Sequence, residues 1–184
     1  MSDAARDAEL RRVYRSRVRG VYAFFASVVE RHTAEDLTAS TFERVVRSWD
    51  AYDPRRGDER AWVMTIAHNL LRDHYRRQKL RVTASLDEHP FLADLLVSED
   101  DAFERGLTHD ELHRWLECLG TRDREALALR YGADLTAADI GAVLGLSAAT
   151  VHQVISRALA RLRREAERSA SSESRAASPS GRDR

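Results

Sequence analysis

Residues 136–155, TAADIGAVLGLSAATVHQVI, prescribe two short helices meeting at a tight turn. Taking Gly145 as the turn residue puts Ile140, Leu144, Leu146, Val151 and Val154 where such helices pack together, and Gly141 where they cross. The turn needs a residue that tolerates unusual backbone angles, and the crossing needs a nearly absent side chain. Thr136 and Asp139 form a capping-box pair that opens the first helix, and Ser147 stands where it caps the second. Ala148, Ala149, His152, Gln153 and Ser156 are then left on an outer face suited to a DNA major groove. An ordinary αα-hairpin shares this spacing, so the reading needs support from elsewhere in the chain.

Thirty basic and thirty acidic residues cancel over 184 positions, which would argue against a nucleic-acid partner if they were evenly mixed. They are segregated. Arg55 to Arg81 carries a net charge of +5, Ser85 to Glu104 a net of -7, and His152 to Arg168 a net of +3. Overall neutrality therefore hides two basic surfaces able to meet phosphates. No run approaches the roughly 20 apolar residues of a membrane helix, and MSDAARDAELRRVYR lacks a secretory apolar segment, so the expected location is the cytoplasm. The single cysteine, Cys118, excludes an internal disulfide and fits a reducing compartment.

Leu10, Val13, Tyr14, Val18, Val21, Tyr22, Phe25, Val28 and Val29 recur at helical steps and predict one helix of about 25 residues with a core stripe. Thr33 and Asp36 make a second capping-box signature, expected to open a helix lined by Leu37, Thr41, Val45 and Trp49 with Phe42 and Val46 beside them. A loop follows at Asp50–Gly57. A third helix is expected at about Asp58–Lys79, with Val63, Ile66, Ala67 and Leu70 inward and Arg72, Arg76, Arg77 and Lys79 at its end, where cations complement the helix dipole. Periodicity fails around Pro90 and acidic residues accumulate, which reads as a linker. Leu112, Trp115, Leu116 and Leu119 then form one apolar face, a helix is expected at about Thr121–Tyr131, and the paired helices follow, the last reaching Arg164. From Ser169 the chain is polar and of low complexity, and a disordered tail is expected. The fold class is thus all-α: two small helical domains, residues 1–80 and 108–166, joined by a flexible acidic linker, 81–107, with the second domain ending in a helix-turn-helix and a tail at 167–184.

Arg157, Arg161, Arg163 and Arg164 follow the candidate recognition helix and suit phosphates, while Ala148, Ala149 and Gln153 suit base edges. Trp62, Tyr75, Trp49 and Tyr52 lie in or beside the first basic segment, a mixture that suits an unpaired strand, although Trp49 and Trp62 read mainly as core residues. His109 and His113 do not form a credible zinc motif, and Cys118 reads as a small core residue on the Trp115 face. The sequence presents no catalytic constellation and calls for no cofactor.

Three blocks carry a family resemblance: AEDLTASTFERVVRSWDAYDP (34–54), ERAWVMTIAHNLLRDHYRRQK (59–79) and TRDREALALRYGADLTAADIGAVLGLSAATVHQVISRALARLRRE (121–165). Together they resemble bacterial RNA polymerase sigma factors of the extracytoplasmic-function group. The resemblance implies that Asp36, Leu37, Phe42 and Arg44 lie on the helix that docks on the clamp helices of the polymerase's largest subunit, with the flap region as a further polymerase contact. It implies that Asn69, Asp73, Arg76 and Arg77, supported by Trp62, lie near the opened -10 strand. It likewise sets Ser147, Ala149, Thr150, His152, Gln153, Ser156, Arg157, Arg161 and Arg164 at the -35 duplex. The implied partners are core polymerase, promoter DNA and an anti-sigma factor, without membrane insertion. Ala39-Ser40 stands where the family usually has Gln-Glu, and His152 and Val154 replace the usual Lys and Arg, leaving fewer permanent cations toward DNA. Two rivals compete with this reading. A conventional helix-turn-helix regulator would not need polymerase, and a helical protein-binding adaptor would use its basic ends only for solubility.

Overall fold

The computed structural model describes residues 3–55, 57–81 and 116–176, and within them every regular element is helical. Helix α1 spans Asp3–Ala26, α2 Arg31–Ser48 with a 3-10 turn at Trp49–Ala51, and α3 Glu59–Arg81. Val13, Val21, Phe24 and Phe25 of α1 meet Thr41, Phe42 and Val45 of α2 and Val63, Met64, Ala67 and Leu71 of α3, all buried. Burying each large apolar side chain contributes roughly 1.5–3 kcal/mol, so this face alone accounts for the three-helix body. Val28 and Val29 are buried as expected, but in the turn after α1 rather than on it. Tyr75 clamps that turn by donating its hydroxyl to the Val28 carbonyl at 3.0 Å.

Three local expectations are corrected here. The Thr33/Asp36 pair does not open α2, which begins at Arg31 behind Glu30 with no side-chain cap. The tight turn through Ser27–Val29 brings the backbone into register early, so Ala34 already bonds to the Glu30 carbonyl, and Thr33 Oγ1 donates to the Glu30 carboxylate at 3.2 Å instead. Val46, expected beside the core, is 45% exposed, and Tyr14 is 50% exposed with its ring edge-on to Phe42 at 4.8 Å.

Glu59, the first residue of α3, is buried and receives both Arg12 and Arg17 from α1, the latter at 3.1 Å. Its carboxylate also faces the positive end of its own helix. Glu59→Ala removes the shared acceptor of two cations. We expect a loss of about 2 kcal/mol in chemical denaturation followed by tryptophan fluorescence, below the roughly 3–5 kcal/mol of a fully buried pair because both arginines reach solvent. A change within experimental scatter would mean the trio is already solvated.

The C-terminal body consists of α4 (Thr121–Leu127), a wide π turn at Ala128–Gly132, α5 (Ala137–Leu144) and α6 (Ala148–Ala176). Leu116, Leu119, Leu127, Leu129, Leu135, Ile140, Val143, Val151, Val154 and Ala158 form its interior. The expected single helix through Tyr131 therefore changes character at Ala128. Helix α6 passes Ser169 and ends at Ala176, where a disordered tail was expected to have begun. Local links hold this polar stretch helical: Arg168 pairs with Glu165, and the Ser171 hydroxyl bonds to the Glu167 carbonyl. Cys118 is exposed, not a core residue, because the inward positions of that segment are taken by Leu116 and Leu119. The acidic linker, Leu112, Trp115 and the His109/His113 pair lie outside the described residues.

The two bodies touch. Helix α1 packs on the π turn and α3 on α5, and their buried residues form one continuous cluster.

Candidate nucleic-acid interface

At the turn between α5 and α6 the chain bends by 99°, within the range of a DNA-reading helix pair. Gly145 has φ 68°, and its N–H returns to the Gly141 carbonyl, as does that of Leu146 at 2.8 Å. A Cβ on Gly141 would lie 2.6 Å from the Leu146 carbonyl oxygen, so no larger residue fits there without displacing the turn. Thr136 and Asp139 make both capping-box bonds, each at 3.2 Å. The Ser147 hydroxyl accepts the Thr150 N–H at 3.1 Å, which fixes the start of α6.

This scaffold leaves Ala148, Ala149, His152, Gln153, Ser156 and Arg157 exposed on one side of α6 while Val151 and Val154 hold the other side in the core. Thr150 is half-buried, its hydroxyl 2.8 Å from that of Ser147. Arg164 is exposed, but Arg161 donates to Asp123 of α4 at 3.1 Å and is partly spent on holding α6 to its own body. The helix thus offers short side chains and one amide toward base edges, with arginines a turn or more behind.

Helix α3 carries the other basic surface. Trp62 is half-buried against Trp49, ring centroids 5.9 Å apart at 70°, and Tyr52 closes the aromatic group 5.1 Å from Trp62. Trp49 belongs to the core, as its apolar stripe predicts. Asn69, Arg72, Arg76 and Arg77 are exposed, and Asp73 pairs with Arg76 at 3.2 Å. His68 is half-buried, and burial, helped by Arg72, holds its imidazole below the usual histidine range, so it adds no charge near neutral pH. His74 is shifted the same way by burial and by Arg77, with Glu30 opposing.

On α2, Asp36 and Arg44 are exposed and Leu37 is half-buried, bordering a groove with Ser40, His74 and Arg77. Phe42, which the resemblance sets on the docking helix, is buried beside the apolar stripe of α2, as its position in that stripe predicts, so its contribution there is packing. Arg60, Arg124 and Glu125 were not singled out from sequence, yet all three lie between or beside the two bodies. The signal for Arg60 was present, since it is the one arginine at the start of α3, but its partner Asp134 stands 74 residues away. Among the described residues no three metal-ligating side chains converge, and no single helix is long and apolar enough to cross a membrane.

A three-helix body with a basic, aromatic-backed helix, joined to a helix-turn-helix body, defines an all-α nucleic-acid-binding architecture. Family models agree: residues 10–81 match sigma-70 region 2 and residues 115–164 match sigma-70 region 4. The chain is 30% identical over 134 residues to the RNA polymerase sigma-E factor of Streptomyces coelicolor, covering 72% of this chain and 71% of that protein. It is 30% identical over 148 residues to the ECF RNA polymerase sigma factor SigC of Mycobacterium tuberculosis, covering 80% and 77%. With BldN of Streptomyces coelicolor it is 29% identical over 132 residues, but the match spans only 50% of that longer protein, and 51% of SigE of Mycolicibacterium smegmatis. The chain belongs to the extracytoplasmic-function group of RNA polymerase sigma factors. Its fold is similar to that of the sigma factor RpoE solved with the anti-sigma factor NepR from Bartonella quintana (TM-score 0.65, 22% identity, 88% of this chain and 96% of that one). It is likewise similar to CnrH solved with the cytosolic domain of CnrY (TM-score 0.57, 23% identity, 90% of each chain).

Proposed function

We propose that the protein binds core RNA polymerase in the cytoplasm and directs it to a chosen set of promoters, acting by binding alone and without catalysis. The observation that carries this reading is the order of two matched regions, 10–81 then 115–164, with a reading face on α6 that is exposed among the described residues and follows a left-handed glycine turn. In this reading residues 1–80 bind polymerase and the -10 element, 81–107 are the linker, and 108–166 bind the -35 element. The exposed face of α2 around Asp36, Leu37 and Arg44 docks on the largest subunit. Helix α6 enters the major groove of the -35 duplex through Ala149, His152, Gln153 and Ser156, with Arg157 and Arg164 on phosphates. Helix α3 receives bases that leave the stack at the -10 element through Asn69, Arg76 and Arg77. The energy of that capture offsets unstacking of a few kcal/mol per base. A protein inhibitor of the anti-sigma kind is the expected regulator, in keeping with the partners of RpoE and CnrH in their solved complexes.

Run-off transcription with purified core polymerase on a promoter pool tests the reading, since a regulator acting alone or an adaptor gives no new transcripts. On a promoter so identified, Arg157→Ala weakens binding at all sequences and reduces the salt slope by about one, whereas Gln153→Ala relaxes preference at a single base pair, a cost of about 1–3 kcal/mol. An unchanged slope for Arg157→Ala would remove it from the phosphate set.

A further inference from the structure

We propose that the groove between α2 and α3 is a diphosphate site, filled by inorganic diphosphate or by the diphosphate end of a nucleotide, and that its occupant competes with polymerase for α2. The competition rests on the sigma-factor reading above; the site itself does not.

The groove lies within the N-terminal body. Trp49, just past α2, meets Trp62 near the start of α3, so the two helices run antiparallel. Leu37, Ser40, Arg44 and Arg47 fall at steps of three and four and share one side of α2, and Leu70, His74 and Arg77 do the same on α3. With the helices opposed, Arg44 comes in toward Leu70 and Arg77 toward Leu37, with Ser40 between them. The two cations thus enter from opposite walls and opposite ends.

Charge decides what the groove takes. Among the described residues no carboxylate bonds to Arg44 or Arg77: Glu43 reaches only Arg47, at 3.8 Å, and Asp73 is taken by Arg76 at 3.2 Å. Three arginines therefore face one carboxylate across the groove. His74, kept neutral by burial and by Arg77, adds a flat wall that can donate or accept a hydrogen bond. Ser40 is the chain's own contribution. The resemblance sets a glutamate at this position, where it would reach Arg44 one turn further on and close the site with its own charge. A serine leaves the cations uncompensated and supplies a hydroxyl donor instead.

Size and chemistry narrow the ligand. A guanidinium donates in parallel to two oxygens of one group, so arginines from two walls suit two linked phosphates better than a single carboxylate. The groove holds about 250 Å³, below the roughly 300–1,000 Å³ of sites that enclose a drug-sized molecule, so a nucleoside attached to the diphosphate stays outside it. Leu70 is buried and Leu37 half-buried, and this apolar floor keeps water from one side of the ion pairs. Leu37 and Arg44 also belong to the face that docks on the largest subunit in the reading above. An occupied groove offers polymerase an anion where the empty one offers a cation, and the two partners exclude each other.

Calorimetric titration of the full chain with inorganic diphosphate and, separately, with ADP tests the site, at about 0.15 M salt so that loosely held ions are screened. One saturating event per chain is expected. Ser40→Glu, at an exposed position, should weaken it at least tenfold and Arg77→Ala at least fivefold, while Arg11→Ala, an exposed arginine of α1 outside the groove, should change it less than twofold. Saturation by ADP assigns the site to a nucleotide's diphosphate, and saturation by inorganic diphosphate alone assigns it to the free anion. Saturation by neither would overturn the proposal, as would equal losses for Arg11→Ala and Arg77→Ala, the mark of arginines gathering anions anywhere on the surface. For the competition, the bound ligand at about ten times its dissociation constant should weaken wild-type binding to core polymerase about elevenfold and leave Ser40→Glu unmoved. An equal response of the two proteins would place the effect on polymerase and sink the competition. Failure of every chain to bind polymerase would remove the sigma reading and the competition with it, while the calorimetry still decides the site.

Discussion

Gly141→Leu abolishes specific duplex binding and lowers the stability of the C-terminal body by about 3 kcal/mol, the upper part of the range for overpacking. The reason is local and steric. The position faces backbone, the Leu146 carbonyl oxygen at 2.6 Å and the Ala148 nitrogen at 3.5 Å from a Cβ, so no rotamer change of a neighbour can make room. The turn itself must move, and with it the 99° bend that sets α6 against α5. Gly141→Ala meets the same oxygen with one carbon, but the gain in helix propensity of about 1 kcal/mol offsets part of the cost, so its loss is smaller. Denaturation and gel-shift titration against the same -35 duplex separate the two effects. A Gly141→Leu protein that unfolds like wild type and still discriminates sequences would show that the crossing has more freedom than its geometry allows.

What was legible in the sequence follows the range of the interactions involved. The helix-turn-helix could be read to the residue because its determinants, Thr136, Asp139, Gly141, Gly145 and Ser147, act within three to five positions of one another, and each makes the contact its type implies. The apolar stripes of α1, α2 and α3 were visible for the same reason, although periodicity alone missed Met64 and Leu71, which lie inward beside the stripe. Phe42 and Val46 read alike from one helix, beside its stripe, and only the packing of Phe42 on Tyr14 of a second helix separates the buried one from the exposed one. The start of α2 and the reach of α6 depended on weaker local bonds than the capping and composition rules weigh. Least legible were the contacts between the two bodies. Gly20 looks like a flaw in a helix, and Arg60 like one cation among many, until Gly132 and Asp134 arrive from more than 70 residues away.

Glu125→Gln stabilises the fold at pH 8 by on the order of 2–3 kcal/mol and leaves it unchanged at pH 4. Glu125 lies on α4 beside the groove toward α3, where burial pushes its carboxyl up to about 7 against the opposing pull of Arg122 and Arg124. Across the groove, burial and the Glu125 charge push the Tyr75 hydroxyl up to about 12, with Arg124 opposing. The folded protein thus keeps a proton on Glu125 that the unfolded chain releases near pH 4.5. Below that pH both states are protonated and the group is silent. As pH rises from about 4.5 to 7 the unfolded state binds fewer protons than the folded one, so stability falls, and above 7 the full penalty stands. The glutamine variant has nothing to ionise and should show no such fall, and parallel curves for the two proteins between pH 4 and 8 would refute the assignment. The groove beside Glu125 has one wall on each body, α3 on one side and α4 and α5 on the other, so the environment that raises its carboxyl depends on both.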